Sequence, residues 1–183
     1  MKNIATTFSF LILLLLMSCG ECEDKTLEVS AELMEFFPYA TTTDITMVNG
    51  SNETIAYSIV QENDISIRDD RDCFNTFVRP TISLSTATQE DIIRIWSSLN
   101  EDLLLGDHEQ LWFTIDDDTG SLDRSGSVRF PLMNLRMVQL NGLTFDEVIS
   151  TEGAASRERL VIYLQRNVGI IGYEYQGETW VLQ

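Results

Sequence analysis

Val138-Gln139-Leu140-Asn141-Gly142-Leu143-Thr144-Phe145 decides the fold class. Apolar and polar residues alternate on both sides of Asn141-Gly142. A two-residue hairpin turn of type I′ requires positive φ at both central positions, which Asn tolerates and Gly adopts without steric cost. The register that follows pairs Leu140 with Leu143 and Val138 with Phe145, with flanking strands at Arg136–Leu140 and Leu143–Ile149. Two further hairpins repeat the logic. A three-residue loop, Gly50-Ser51-Asn52, pairs Met47 with Ile55 and Ile45 with Tyr57, so that these four residues share one face. Near the C-terminus, a tight turn at Gln176-Gly177 sets Tyr173 opposite Trp180 and Ile171 opposite Leu182.

Working outward, Leu160–Leu164 is short, β-branched and aromatic, and reads as a central strand. Ala56–Val60, Phe77–Leu84, Leu111–Ile115 and Val128–Leu132 add strands, and the Asp-, Ser- and Gly-rich stretch 116–127 reads as a loop. Closely spaced strands with tight turns predict a mainly β chain: an antiparallel curved sheet, open barrel or sandwich of about eight to ten strands, with one or two short helices. One helix is expected around Ala31–Phe37, ended by Pro38. The other is expected over 88–104. There Thr88-Gln89-Glu90-Asp91 has the form of a capping box, and Ile92, Trp96, Leu99 and Leu103 recur at helical spacing. Ile93, Ile95 and Leu99 offer the competing alternation of a strand.

The N-terminus is organised differently. Lys2 precedes a largely apolar run ending in Leu13-Leu14-Leu15-Leu16-Met17, then Ser18-Cys19-Gly20. A spanning helix needs about 20 apolar residues. This run is shorter and ends in small residues, as a secretory signal peptide does. Leu16-Met17-Ser18-Cys19 resembles the lipobox of bacterial lipoproteins, which implies diacylglyceryl transfer to the Cys19 thiol and cleavage before it. Several acyl chains on one residue would hold a domain permanently at a bilayer, since each buried CH₂ contributes about 0.8 kcal/mol. The expected organisation is a signal peptide at 1–18, a lipidated tether at 19–30 and a single β-rich domain at 31–183. Glu21, Glu23 and Asp24 make the tether acidic. This resembles the export signal that sends some lipoproteins of the Bacteroidota to the outer face of the outer membrane. The expected address is therefore the cell envelope, as an outer-membrane lipoprotein facing the periplasm or the surface.

The chain carries 29 acids against 12 bases, a net charge of −17. That balance argues against nucleic acid, whose binders present basic patches, and favours solubility. With Cys19 acylated, Cys22 and Cys73 remain, and an oxidising compartment favours a disulfide between them.

Few constellations carry chemistry. Asp116-Asp117-Asp118-Thr119-Gly120, followed by Asp123, fails the EF-hand spacing, because Gly at position six would put Ile115 at position one. Asp116, Asp118 and Asp123 remain weak calcium candidates, and a solvated turn is the expected reading. Arg68-Asp69-Asp70-Arg71-Asp72 reads as a surface ion-pair cluster. The one histidine, His108, lies in a polar stretch with no G-x-S-x-G nearby and no set of zinc ligands. No catalytic residue, metal or cofactor is assigned. Trp96, Trp112, Tyr173, Tyr175 and Trp180 could line a sugar- or lipid-binding groove, with core packing the expected role.

Tyr163, Val168-Gly169-Ile170-Ile171-Gly172-Tyr173-Glu174, Gly177 and Trp180-Val181-Leu182 together resemble the ending of small uncharacterised lipoproteins of flavobacteria and other Bacteroidota. Phe36-Phe37-Pro38-Tyr39 before a hairpin resembles their start. The Gly and Trp common before their first strand are replaced here by Thr41-Thr42-Thr43-Asp44. The resemblance covers the two ends and implies a β-rich envelope lipoprotein without assigned activity. The expected function is a membrane-anchored, non-enzymatic binding or interaction module for a protein, glycan or lipid. The alternatives are a lipid-carrier-like half-barrel with an apolar cavity and an envelope polysaccharide hydrolase with paired carboxylates.

Overall fold

The computed structural model describes residues 24–40, 42–70, 73–88, 93–100, 108–115, 125–130, 135–152 and 160–183. In chain order these form β1 (Lys25–Glu28), α1 (Ala31–Met34), β2 (Thr43–Asn49), β3 (Thr54–Asp70), β4 (Cys73–Ser85), β5 (Ile93–Asn100) and β6 (His108–Ile115). Then follow β7 (Ser125–Phe130), β8 (Arg136–Leu140), β9 (Leu143–Ser150), β10 (Val161–Gln165), β11 (Gly169–Tyr175) and β12 (Glu178–Leu182). All twelve strands join one sheet in the order β7-β6-β5-β4-β3-β2-β12-β11-β10-β9-β8, with β1 added in parallel beside β4. The sheet is thus two meanders of consecutive strands, β2 to β7 and β8 to β12, joined where β12 pairs antiparallel with β2.

The sheet curls into a half-barrel. Its concave face carries the main core, including Met47, Tyr57, Ile59, Ile82, Leu84, Ile93, Ile95, Leu111, Phe113, Ile162, Ile170 and Tyr173. Strand alternation builds this face: inward Ile93 and Ile95 flank exposed Arg94, and inward Leu111 and Phe113 flank Trp112. All three sequence-derived hairpins form in the expected register. Leu140 faces Leu143 and Val138 faces Phe145, Met47 faces Ile55 and Ile45 faces Tyr57, and Tyr173 faces Trp180. Both turn residues have positive φ in the Asn141-Gly142 hairpin.

The helix expected over 88–104 is corrected. Residues 93–100 are β5, paired with β4 and β6. The alternating isoleucines meet two neighbouring strands, and that tertiary pairing outweighs the helical spacing. Residues 89–92 and 101–104 lie outside the described residues. The expected helix at 31–37 is α1 followed by a turn, with the Ser30 hydroxyl accepting from Leu33 N–H at 3.2 Å as its N-cap. Residues 25–28, assigned to the tether from sequence, run as β1 in the sheet.

Three features complete the half-barrel. First, the α1 segment crosses the end where β10 turns into β11. Ser30 hydrogen-bonds Glu109 on β6, Tyr39 N–H donates to Gln61 on β3 at 3.0 Å, and Asn167 N–H donates to the Glu35 carbonyl at 2.7 Å. Leu33, Phe36 and Phe37 are fully buried there, each side chain contributing roughly 1.5–3 kcal/mol. Arg166 holds the same corner with ion pairs to Glu32, Glu35 and Glu147 and with its guanidinium 6.0 Å from the Phe36 ring.

Second, β3 and β4 run past that closed end as a long arm. Beyond Gln61, β3 has only β4 beside it among the described residues, and the first half of β4 takes β1 on its other side. β5 pairs with β4 only over 81–84. Pro80, which has no N–H to give, falls between the partners β1 and β5, where no ladder bond is required of it.

Third, the β8–β9 hairpin folds back over the convex face of β10, β11 and β12. Leu140 and Val148 pack with Tyr163, Ile171 and Val181 in a second, smaller core, and Asn141 at the hairpin tip donates to the Thr179 carbonyl at 3.0 Å. β9 joins β10 only over 148–150, and Glu147, at φ 49°, marks the change of layer.

Candidate functional site

Among the described residues, the end of the half-barrel opposite α1 is open. It is rimmed by the β2–β3 hairpin, the end of β6 and the β11–β12 hairpin, and it holds a pocket of about 360 Å³. Ile55 and Ile115 form its aliphatic wall, Tyr173, Tyr175 and Trp180 its aromatic wall, and Gln176 and Glu178 its polar rim. Ile115 on β6 and Tyr175 on β11 are six strand-to-strand steps apart along the sheet, roughly 29 Å if it were flat. Curling brings both onto one cavity.

The floor is held rigidly. Tyr173 and Trp180 are cross-strand partners whose rings stack at 6.4 Å and 16°, and Tyr57 meets Tyr173 edge-on at 6.4 Å. The Tyr57 and Tyr173 hydroxyls share a buried hydrogen bond of 2.8 Å. Burial, the shared hydrogen bond with Tyr57 and the negative charge of Glu178 all push the Tyr173 phenol above its ordinary pKa of 10. Both phenols are therefore neutral at physiological pH, and the floor is uncharged with one polar seam. Higher up, Tyr175 is half-buried at the rim, and its hydroxyl accepts from Gln176 at 3.0 Å. Glu178 is the one charged side chain among the described lining residues.

A second depression, of about 250 Å³, lies on the convex face of β3, β4 and β5. Val60, Glu62, Thr81, Ser83, Ser85 and Arg94 line it. Beside it Asp64 accepts from Arg94 at 3.0 Å and from Thr81 at 3.2 Å. Thr81 and Arg94 of its polar lining already have Asp64 as a partner, so it resembles a solvated sheet face more than a receptor. The mouth combines concavity, apolar walls and a few convergent polar groups, as small-molecule sites do.

The sequence-derived candidates fare unequally. Cys19, Cys22, Asp116, Asp118 and Asp123 lie outside the described residues. Cys73 opens β4, and His108 opens β6 at the closed end, away from the mouth. The five aromatic residues separate into two groups. Tyr173, Tyr175 and Trp180 meet at the mouth, while Trp96 and Trp112 stack on each other at 6.3 Å and 9°, half-buried on the convex face. Sequence reasoning missed Ile55 and Ile115 as pocket walls, and Glu178 and Gln176 as its rim. Only the curl brings β6 to the β11–β12 hairpin, and no short-range pattern encodes that approach. Among the described residues no three His, Cys, Asp or Glu side chains gather as metal ligands, and no helix is long and apolar enough to cross a membrane. No family model, curated protein or solved structure matches the chain.

Proposed function

We propose that this chain is an envelope lipoprotein, similar to the small lipoproteins of the Bacteroidota, anchored through lipid on Cys19. Its half-barrel is a non-enzymatic binding module for a small amphipathic ligand. The observation that carries the binding reading is the mouth itself: a one-ended pocket of about 360 Å³ with a stacked aromatic floor and a polar rim. That volume lies in the range of small-ligand sites. It suits one sugar ring with its substituents or a short acyl chain. The buried core below Tyr173, with Phe36, Phe37 and Ile59 in it, favours such a compact ligand over the long chain of a lipid carrier. Glu178 at the rim favours a neutral or cationic polar end.

The position of β1 is what supports the placement of the anchor. β1 enters the arm with Lys25 beside Asn75, at the end of the molecule away from the mouth. A leash ending at Asp24 would therefore leave the pocket open.

Two experiments test the two parts separately. Fatty-acid labelling in cells is expected to mark the wild-type chain and to vanish in Cys19→Ser; label retained in that variant refutes the anchor. For binding, the purified chain is titrated by NMR with methyl glycosides and with C6 to C10 amphiphiles. Shifts are expected at Tyr173, Tyr175 and Trp180, and Tyr175→Ala is expected to weaken binding about tenfold through loss of an aromatic wall. Shifts confined to the convex face, or no shifts at all with either class, would refute the mouth as the site.

A further inference from the structure

We infer that the open edge of the β3–β4 arm is an interface between two copies of this chain, paired antiparallel through residues 64–68 of β3. The inference is independent of the ligand at the mouth. β3 is paired with β2 only as far as Ile59. From Glu62 to Asp70 it keeps β4 on one side and has an open backbone edge on the other, among the described residues. The arm's opposite side is taken by β1, so β3 is the edge that remains. An exposed strand of this length is a ready template for another strand. Ile65 and Ile67, on one face of it, are 67% and 68% exposed.

The sequence of that edge says which strand fits. Asp64-Ile65-Ser66-Ile67-Arg68 is self-complementary when read in opposite directions. With a two-fold axis at Ser66, Asp64 of one copy stands opposite Arg68 of the other, Ile65 opposite Ile67, and Ser66 opposite itself. Directly opposed unlike charges and β-branched pairs each stabilise an antiparallel ladder. A self-complementary patch is what a closed two-fold dimer requires. One step further, Asn63 meets Asp69. The next step would oppose Glu62 and Asp70, two acids, so the charge pattern favours the short register centred on Ser66. The product is a continuous six-stranded sheet, β1-β4-β3 followed by β3-β4-β1 of the second copy, with a half-barrel at each end.

The test is disulfide trapping in cells expressing the full chain, because a residue on the axis faces itself. Antiparallel partners have Cα atoms about 4.5–5.5 Å apart, within disulfide reach. Ser66→Cys is expected to give a covalent dimer of twice the chain mass on a non-reducing gel, above the wild-type baseline set by the native cysteines. Asn63→Cys, whose two copies stand roughly 20 Å apart in this register, is the matched control and is expected to stay monomeric. Arg68→Asp in the Ser66→Cys background is expected to lower the dimer about tenfold, because both symmetric pairs become like-charged. Equal trapping of Ser66→Cys and Asn63→Cys, trapping of neither, or an adduct whose mass is not twice the chain would each overturn the proposal.

Discussion

Single side chains explain how closely the half-barrel is packed. Gly172 is central on β11. A Cβ there would stand 2.5 Å from the Trp180 carbonyl and 3.2 Å from Leu140 of the folded-back hairpin. Gly172→Ala is therefore expected to push the hairpin off the convex face and to cost about 1–3 kcal/mol, measured as a lowered urea midpoint. Gly169 is tighter still: its φ is 87°, and the Tyr39 ring occupies the place of a Cβ while the Tyr39 hydroxyl accepts from Ile170 N–H at 2.9 Å. Burial raises the Tyr39 pKa to about 12, and it raises those of Tyr57, Tyr163 and Tyr173 as well. In each case the folded state favours the protonated phenol. The stability this represents is complete below the unfolded value near 10 and is lost as pH climbs through the raised folded values. In a Tyr175→Phe variant, which leaves Tyr39, Tyr57, Tyr163 and Tyr173, tyrosinate absorbance and loss of near-UV circular dichroism are expected to rise together above pH 10. Tyrosinate appearing at pH 10 with the fold intact would contradict the buried placements. At this scale the sequence was legible where turn chemistry spoke. Asn141-Gly142 and Gln176-Gly177 announced their hairpins, while nothing around Gly172 announced Leu140 lying over it.

Among the elements, the lesson is one of range. The three hairpins were readable because their partners lie within a few residues. β5 was misread because Ile92, Trp96 and Leu99 fit a helix as well as Ile93, Ile95 and Leu99 fit a strand. The distinction rests on β4 and β6, many residues away. β3 was read only over Ala56–Val60, although it runs from Thr54 to Asp70. Its polar second half lacks the apolar alternation of a sheet buried on one side, because there it leaves the barrel. The parallel β1–β4 ladder was not readable at all, and it bears on the cysteines. Lys25 lies beside Asn75. Cys22 precedes Lys25 by three residues in sequence, and Cys73, the first residue of β4, precedes Asn75 by two. A Cys22–Cys73 bridge is accordingly expected, contributing up to about 4 kcal/mol in the chain-entropy model. Alkylation without reductant is expected to leave both thiols unmodified, and Cys73→Ser to lower the melting temperature. Free, alkylatable Cys22 and Cys73 in the protein isolated without reductant would refute the bridge.

For the molecule as a whole, fold class was legible and the site was only half so. An antiparallel curved sheet follows from spacing and turns, whereas the mouth depends on which strands the curl brings face to face. The joint between the two meanders matters most here. β12 pairs with β2 through Trp180–Asn49, Val181–Val48 and Leu182–Met47, and Gln183 N–H donates to the Thr46 carbonyl at 2.9 Å. Removing residues 178–183 takes away this seam along with Trp180 and Val181 from both cores. That truncation is expected to abolish cooperative unfolding in calorimetry rather than merely lower its midpoint. The same joint sets an order of events during synthesis. β2 is synthesised well before β12, so β2 waits with one side bare until β12 has emerged. Contacts of such long sequence separation are slow to form. Until then the nascent chain is an unclosed ribbon, dependent on whatever shields its unpaired flank.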